Sequence, residues 1–292
     1  MSLPSLVVYG AAFECIKIIG GSIAKKYRIL DLLSGNDQYN EGGTTSNSGQ
    51  SSLTKIYARD GDDDISISKS FTTDDTFKIT LIDMGIGNDD LGLTFYNYNI
   101  NQRLSFSLGD GDDEFAFMTR DGGYIGFSSL SIDGGNGKDL LNIFYGTYSQ
   151  STSRSTYKSK RNILLDSGEG DDEILIGYKD AITGVINGGT GSDSFLLNCS
   201  NGALSGKLVF DGQDGDDSFW LKDVPANNNT LINGGPGVDT VYIGSDWQQS
   251  VVSSIVIGDT TKITFAGWQF NGITRETFLT VQGIETISYQ TI

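Results

Sequence analysis

The chain of 292 residues has no histidine, two cysteines and three prolines, and its 37 acidic residues outnumber its 20 basic ones. The lack of histidine excludes histidine metal sites and catalysis by Ser-His-Asp or Cys-His groups. Cys15 and Cys199 lie far apart in the sequence and imply no disulfide framework, so we expect buried free thiols. The net charge of −17 argues against nucleic acid as a partner and disfavours an anionic membrane surface.

Long hydrophobic runs are also missing. The most apolar region, residues 6–24, carries Glu14 and Lys17 near its middle, which makes it too polar to cross a bilayer. No basic segment precedes this region, so no signal peptide is predicted either. We therefore expect no insertion into a membrane.

Glycine, in contrast, is abundant at 39 residues, and it marks a pattern that recurs nine times. Each copy contains a glycine, here called the anchor, at positions 35, 61, 87, 111, 137, 170, 191, 215 and 237. Two residues after each anchor stands an aspartate: Asp37, Asp63, Asp89, Asp113, Asp139, Asp172, Asp193, Asp217 and Asp239. The anchors are 21–33 residues apart, and self-similarity at such a period predicts a solenoid with one repeat per coil.

The residues around each anchor alternate between apolar and polar, as half-buried strands do. Apolar residues stand five positions before and four positions after every anchor, and six positions after it from the second copy on. One strand therefore leads into each glycine turn and a second strand leaves it, while a loop or short third strand closes the coil. Each strand pairs with its counterpart one coil away, so the pattern predicts an all-β, right-handed parallel β-helix with about nine motif-bearing coils.

The ends of the chain lack the pattern. Residues 1–28 are predicted to form an N-terminal cap or a degenerate first coil, because a solenoid needs atypical terminal units. Residues 29–243 form the predicted β-helix, and residues 244–292 are predicted to form C-terminal strands and a cap. We expect these three segments to make a single domain.

Stacking of the coils predicts a column of aspartates about 4.8 Å apart. Two such charges repel by about 0.9 kcal/mol at the dielectric constant of water and by about 3.5 kcal/mol at an effective value of 20. Ca²⁺, which takes six to eight oxygen ligands at flexible distances, suits aspartate side chains and turn carbonyls from two adjacent coils. The nine motif aspartates are therefore candidate ligands for several calcium ions. The alternative is structural: each aspartate caps its own turn by accepting a backbone N–H.

Three of the turns resemble a known motif: Asp133–Leu141 (DGGNGKDLL), Asn187–Phe195 (NGGTGSDSF) and Asn233–Val241 (NGGPGVDTV). They are similar to the glycine- and aspartate-rich nonapeptide of the RTX (repeats-in-toxin), or haemolysin-type, calcium-binding proteins. The resemblance implies that the motif aspartates and neighbouring carbonyls bind Ca²⁺ between successive turns, and that the protein is secreted or lies at the cell surface. RTX nonapeptides follow one another directly, whereas this spacing is closer to the coil size of pectate-lyase-like β-helices. Only one edge of the solenoid is therefore expected to bind ions.

The longest connection, between the fifth and sixth anchors, brings basic residues and tyrosines together in an otherwise acidic chain. Such a surface is a candidate for binding an acidic polysaccharide, with the tyrosine rings stacking on sugars. The candidate residues are Tyr145, Tyr148, Arg154, Tyr157, Lys158, Lys160 and Arg161. The alternative is a solvated hairpin with no ligand.

The sequence thus predicts a calcium-binding, secreted or cell-surface β-helix module with a structural, adhesive or carbohydrate-binding role. Because polysaccharide-degrading enzymes use this fold, the alternative is a lyase, epimerase or hydrolase acting on an acidic glycan. A glycosidase needs two close carboxylates, and acidic residues are so plentiful here that no pair is distinguished. For β-elimination, the only candidate bases are Lys138 and the basic residues of the long connection. No catalytic residue is assigned.

Overall fold

A computed structural model of the chain shows how the repeats stack. It describes residues 10–19, 22–32, 34–45, 51–71, 76–96, 102–120, 127–145, 161–178, 182–198, 208–222, 230–244, 251–270 and 273–290. All regular secondary structure in these ranges is β-strand. No helix among the described residues is long and apolar enough to cross a membrane.

The described residues form 23 strands. In chain order they are β1 (Gly10–Ile19), β2 (Ser22–Leu32), β3 (Gln38–Thr45), β4 (Ser51–Tyr57), β5 (Asp64–Phe71), β6 (Thr76–Ile86), β7 (Asp90–Tyr96), β8 (Gln102–Asp110), β9 (Glu114–Arg120), β10 (Phe127–Asn136), β11 (Leu140–Tyr145), β12 (Arg161–Asp166), β13 (Glu173–Tyr178), β14 (Ile182–Thr190), β15 (Ser194–Asn198), β16 (Leu208–Asp214), β17 (Ser218–Leu221), β18 (Thr230–Asn233), β19 (Thr240–Gly244), β20 (Val251–Ile257), β21 (Thr260–Phe270), β22 (Ile273–Gln282) and β23 (Thr286–Gln290).

The strands make two sheets, and the chain passes from one to the other at every glycine turn. The long sheet has 13 strands in the order β1-β2-β4-β6-β8-β10-β12-β14-β16-β18-β22-β21-β20. The short sheet has ten strands in the order β23-β19-β17-β15-β13-β11-β9-β7-β5-β3. Between β2 and β19, neighbours within a sheet are parallel strands of successive coils, and equivalent residues pair: Leu141 lies opposite Phe115 and Ile174. This confirms the predicted all-β, parallel β-helix solenoid.

The core lies between the two sheets and consists of the apolar residues that the repeat places before and after each anchor. Ile132 on β10, and Leu141 and Ile143 on β11, are at most 2% exposed. Rings meet both across and along the solenoid: Phe106 contacts Phe115 with centroids 5.5 Å apart, and Phe195 stacks on Phe219 at 4.6 Å. Burial of a side chain of this size contributes roughly 1.5–3 kcal/mol, so the aligned apolar columns hold the coils together.

Both ends of the long sheet depart from the parallel arrangement. β1 pairs antiparallel with β2, and β20, β21 and β22 form an antiparallel meander attached to β18. The buried residues Ile263, Phe265, Leu279 and Val281 extend the core beneath this meander. β1, β20 and β21 are therefore antiparallel additions to the sheet, whereas β22 and β23 pair parallel with β18 and β19 and continue the coil.

Candidate metal centre

The motif aspartates point into the solenoid. They stand two residues before the inward apolar residue of the outgoing strand, and alternation along an extended chain puts both on the same side. Eight of them are at most 2% exposed: Asp63, Asp89, Asp113, Asp139, Asp172, Asp193, Asp217 and Asp239. Asp37, in the first turn, is only half-buried. The carboxylates thus form a buried column at one corner of the coil.

Each buried carboxylate accepts a hydrogen bond from the backbone of the preceding coil. Oδ1 of Asp113 accepts the backbone N–H of Asp89 at 2.8 Å, and Oδ1 of Asp193 accepts that of Asp172 at 2.9 Å. The same bond joins every successive pair from Asp37 to Asp239, at 2.7–3.0 Å. The N–H that each aspartate accepts comes from the preceding coil and not from its own turn. The column is therefore a hydrogen-bonded ladder between coils.

A second, exposed ladder is formed by the residues directly after the anchors. In this ladder the acceptor side chain belongs to the earlier coil and the donor N–H to the later one. Oδ1 of Asp62 accepts the N–H of Asn88 at 3.0 Å, and Oδ1 of Asn88 accepts that of Asp112 at 2.9 Å. Asp171 and Asp216 make the same bond to the next coil. Every such acceptor satisfies a turn N–H that has no partner in its own coil.

The buried ladder ends on a residue that the repeat pattern does not include. Oε2 of Glu285 accepts the N–H of Asp239 at 2.7 Å, in the position that an aspartate holds elsewhere. The strand registers align Gln282 with Asn233 and Thr286 with Thr240, so this tenth turn is three residues shorter than the ninth. The longer side chain of glutamate suits the shortened turn. Gly283 two residues before Glu285 is the sequence signal that could have revealed it.

The second oxygen of most buried carboxylates has no hydrogen-bond partner. Oδ2 is buried and unpaired in Asp63, Asp89, Asp113, Asp139, Asp193, Asp217 and Asp239. At Asp172, a hydrogen bond with the Ser167 side chain lowers the pKa and opposes the effect of burial. An ionised carboxylate left in this state loses its hydration without compensation, which costs several kcal/mol. A proton or a cation at Oδ2 removes this cost.

In several of the later turns, Oδ2 faces a carbonyl oxygen of the next coil across a glycine. A Cβ added to Gly188 would lie 2.3 Å from Asp193 Oδ2 and 2.8 Å from the carbonyl oxygen of Gly212. One added to Gly212 would lie 2.0 Å from Asp217 Oδ2 and 2.5 Å from the carbonyl oxygen of Gly234. The same pairing joins Asp139 to Ser167 and Asp239 to Gly283. In each of these turns the two oxygens therefore border the space that a Cβ would fill, and Oδ2 has no hydrogen-bond donor.

In the other turns, a residue other than glycine stands three positions before the anchor. Three residues before the anchor, the first four turns carry the buried side chains of Leu32, Ala58, Met84 and Leu108 in place of glycine. The sixth turn carries Ser167, whose hydroxyl donates to the carbonyl oxygen of Gly188. The oxygen-lined gap is therefore found at Asp139, Asp193, Asp217 and Asp239. The residue three positions before the anchor, which can be read from the sequence, distinguishes these turns from the others.

Burial raises the pKa of the ladder carboxyls. The pKa of Asp139 and Asp193 rises to about 7, because burial and neighbouring carboxylates outweigh the hydrogen bond from the preceding coil. For the same reasons the pKa values of Asp63, Asp89, Asp113 and Asp217 rise to about 6. Those of Asp172 and Asp239 are raised as well.

We expect the calcium-free protein to become less stable as the pH rises from 4.5 to 8. The ordinary aspartate pKa of 3.8 applies to the unfolded chain, so the folded protein binds protons more tightly. The stabilisation is complete below about pH 4 and is lost as the pH passes through 6 to 7. Thermal melts in chelator at pH 4.5, 6 and 8 measure it. Repeating them in 0.5 M NaCl is the control, because salt screens the exposed acids but not the buried ladder. A melting temperature that stays level or rises with pH contradicts this prediction.

The predicted glycan-binding surface lies mostly outside the residues that the structure describes. The residues outside are Tyr148, Arg154, Tyr157, Lys158 and Lys160. Tyr145 ends β11 and Arg161 begins β12 on neighbouring coils, but nothing is described of their side chains. Among the described residues, no three Asp, Glu or Cys side chains converge on one point as a metal-binding cluster.

No protein-family model matches the chain, and the comparisons with curated proteins and with solved structures give no match either. The resemblance to RTX proteins therefore rests on the residues of the turns.

Proposed function

We propose that the protein is a calcium-binding structural β-helix module whose ions lie between the later glycine turns. The observation that carries this proposal is the buried Oδ2 with no partner, facing a carbonyl oxygen of the next coil. A carboxylate and a carbonyl are hard oxygen ligands of the kind that calcium prefers. One ion at each gap of Asp139, Asp193, Asp217 and Asp239 neutralises the buried charge and links two coils.

The donor set fits calcium in part of the column. Each gap offers one side-chain carboxylate oxygen and at least one backbone carbonyl oxygen, and water or further turn carbonyls would complete six to eight ligands. In the first four turns an apolar side chain stands beside the carboxylate, and these turns do not fit an ion. Of the nine motif aspartates expected from the sequence to be ligands, this proposal retains four.

Calcium bound in these gaps would couple to the stacking of the coils, because its ligands come together only in the folded protein. The parallel, hydrogen-bonded sheets and the repeated turns suit a rigid spacer or binding scaffold. No oxygen pair, cleft or base described above favours catalysis, so the lyase, epimerase or hydrolase alternative has no specific support. Secretion, adhesion and glycan binding stay predictions from the sequence.

Calcium is expected to raise the melting temperature by at least about 10 °C relative to chelator at pH 7.5. Each site occupied at a hundredfold excess over its dissociation constant adds about 2.7 kcal/mol, and four sites act together. Differential scanning calorimetry with isothermal titration of Ca²⁺ into chelator-treated protein measures the effect and the number of sites. Equal concentrations of Mg²⁺ provide the ionic control.

Two substitutions locate the sites. Asp217→Asn removes the carboxylate from one oxygen-lined gap and should reduce the calcium-induced rise by about a quarter. Asp63→Asn makes the same chemical change beside an apolar neighbour and should leave the rise intact. A protein that melts at the same temperature in calcium and in chelator, or that responds equally in both variants, contradicts the proposal.

A further inference from the structure

Among the described strands, the outermost strand of the long sheet, β20, has a pairing partner on one side only. It pairs with β21 only, and its sequence VVSSIVI contains no charged residue, glycine or proline. Ile255, Val256 and Ile257 are 53%, 68% and 74% exposed. Open edges present unpaired N–H and C=O groups, and soluble proteins usually protect them with charges, prolines or very short strands. Apart from a register irregularity between Val251 and Ser253, β20 has no such protection.

The other described edges differ from β20. β1 carries Glu14 and Lys17, and β3 carries Glu41. β23 is only five residues long, and its Ile287 and Tyr289 pack against the core. The unprotected edge is therefore confined to one end of the long sheet.

Val251 at the start of β20 packs against the core, but residues 254–257 are exposed on both faces of the strand. β22 pairs with β18 and β23 pairs with β19, so β22 and β23 belong to the same last coil. In the long sheet, β21 and β20 follow β22, and the short sheet has no strands that correspond to them. Successive residues of a strand face opposite sides, so Val256 is exposed on one face and Ile255 and Ile257 on the other. An aliphatic strand exposed on its edge and on both faces is a surface for another strand.

The occupant must be an extended, uncharged strand, since backbone groups give the affinity in strand addition and a charge would be buried beside aliphatic side chains. β20 itself is such a strand. A strand that pairs antiparallel with a copy of itself satisfies two-fold symmetry, the commonest symmetry of protein assemblies. The charge distribution agrees: most of the net charge of −17 comes from acids in the turns, and β20 contributes none.

We propose that β20 pairs antiparallel with β20 of a second copy of this chain. With full overlap of the seven residues, Ser254 at the centre lies opposite Ser254 of the second copy. The two long sheets then continue into each other, and the solenoids join end to end. The exposed aliphatic side chains of one strand lie beside those of the other.

The test is sedimentation velocity of the full chain over about 1–300 μM, in chelator and in calcium, with dimers expected at a dissociation constant on the order of 10 μM. Ser254→Lys places like charges directly opposite each other in the pair, so this variant should be monomeric throughout. Ser254→Glu should be monomeric for the same reason. An equimolar mixture of the two variants should form dimers again.

Ser105→Lys is the matched control. Ser105 is also an exposed strand serine, but its strand, β8, is paired on both sides, so this variant should dimerise like the wild type. Circular dichroism melts establish that all variants are folded. The proposal is overturned if the wild type is monomeric at about 300 μM or forms open-ended oligomers, if Ser254→Lys still dimerises, or if the mixture of variants stays monomeric. These outcomes are independent of calcium binding, because the measurement is made with and without the ion.

Discussion

Replacement of Gly137 by alanine is expected to abolish cooperative folding or to lower the free energy of unfolding by about 5 kcal/mol or more. The Cβ of the new residue would lie 1.8 Å from the carbonyl oxygen of Gly111 and 2.5 Å from its carbonyl carbon. Both are backbone atoms of the preceding coil and cannot rotate away. A shift of the turn would also break a hydrogen bond, because the N–H of Gly137 donates to the carbonyl oxygen of Glu169 in the next coil at 2.7 Å.

Gly35→Ala is the matched control for this substitution. Gly35 is the anchor of the first turn, with φ +128° against +133° at Gly137, but among the described residues no heavy atom beyond its neighbours in the chain lies within 4 Å of its added Cβ. This variant should lose only the backbone strain of a positive φ, about 1–3 kcal/mol. Urea unfolding followed by circular dichroism, together with the yield of soluble protein, compares the two variants. Similar urea midpoints for both would show that close stacking of the turns is not what requires glycine.

Asp193→Asn is expected to stabilise the calcium-free protein at pH 8, although Asp193 is buried and hydrogen-bonded. The asparagine oxygen can still accept the N–H of Asp172, and its amide group can donate to the carbonyl oxygen of Gly212 that Oδ2 faces. A rise in pKa from 3.8 to about 7 corresponds to at most about 4 kcal/mol of cost at pH 8, and we expect a gain of roughly 2 kcal/mol. At pH 4.5 the wild-type carboxyl is protonated, so the difference should disappear.

Two further variants isolate the cause. Asp193→Ala leaves the N–H of Asp172 without an acceptor and should be about 1–3 kcal/mol less stable than Asp193→Asn. Asp171→Asn makes the same chemical change in the exposed ladder, where water solvates the charge, and should alter stability by no more than about 0.5 kcal/mol. Urea unfolding at pH 4.5 and pH 8 in chelator gives all these values. Destabilisation by Asp193→Asn at pH 8 would mean that Oδ2 is already compensated in the folded protein.

The direction of the aspartates could have been read from the sequence. Asp139 stands two residues before Leu141 and four before Ile143, both of which the repeat assigns to the core. Because side chains alternate along an extended chain, the side chain of Asp139 points inward as well. Sequence reasoning placed the carboxylates in a column but did not draw this consequence, so it did not distinguish the turns with an oxygen-lined gap from the others. Residues such as Leu108 and Gly212, at the same repeat position, separate the two kinds of turn.

Other features could not be predicted from the repeat. Glu285 completes the buried ladder from a turn that is three residues shorter and follows the β20–β21 excursion, so its spacing of 46 residues from Asp239 hides its equivalence. The bond from the Ser167 hydroxyl to Gly188 likewise depends on the gap between two particular coils. The residues in these contacts are not spaced at the period of the repeat, so the repeat does not predict them.

The sequence alone determined the repeat, the two strands beside each turn, the parallel stacking and the core residues five positions before and four and six positions after the anchor, because these positions alternate in the same way in successive copies. Only the tertiary structure decided how the carboxylates are used. One oxygen of each buried carboxylate accepts a hydrogen bond from the coil before it, and the surroundings of the other differ from turn to turn with the residue three positions before the anchor. Both also depend on the distance between stacked turns, which is set by the hydrogen bonds between coils and not by any residue of a single repeat.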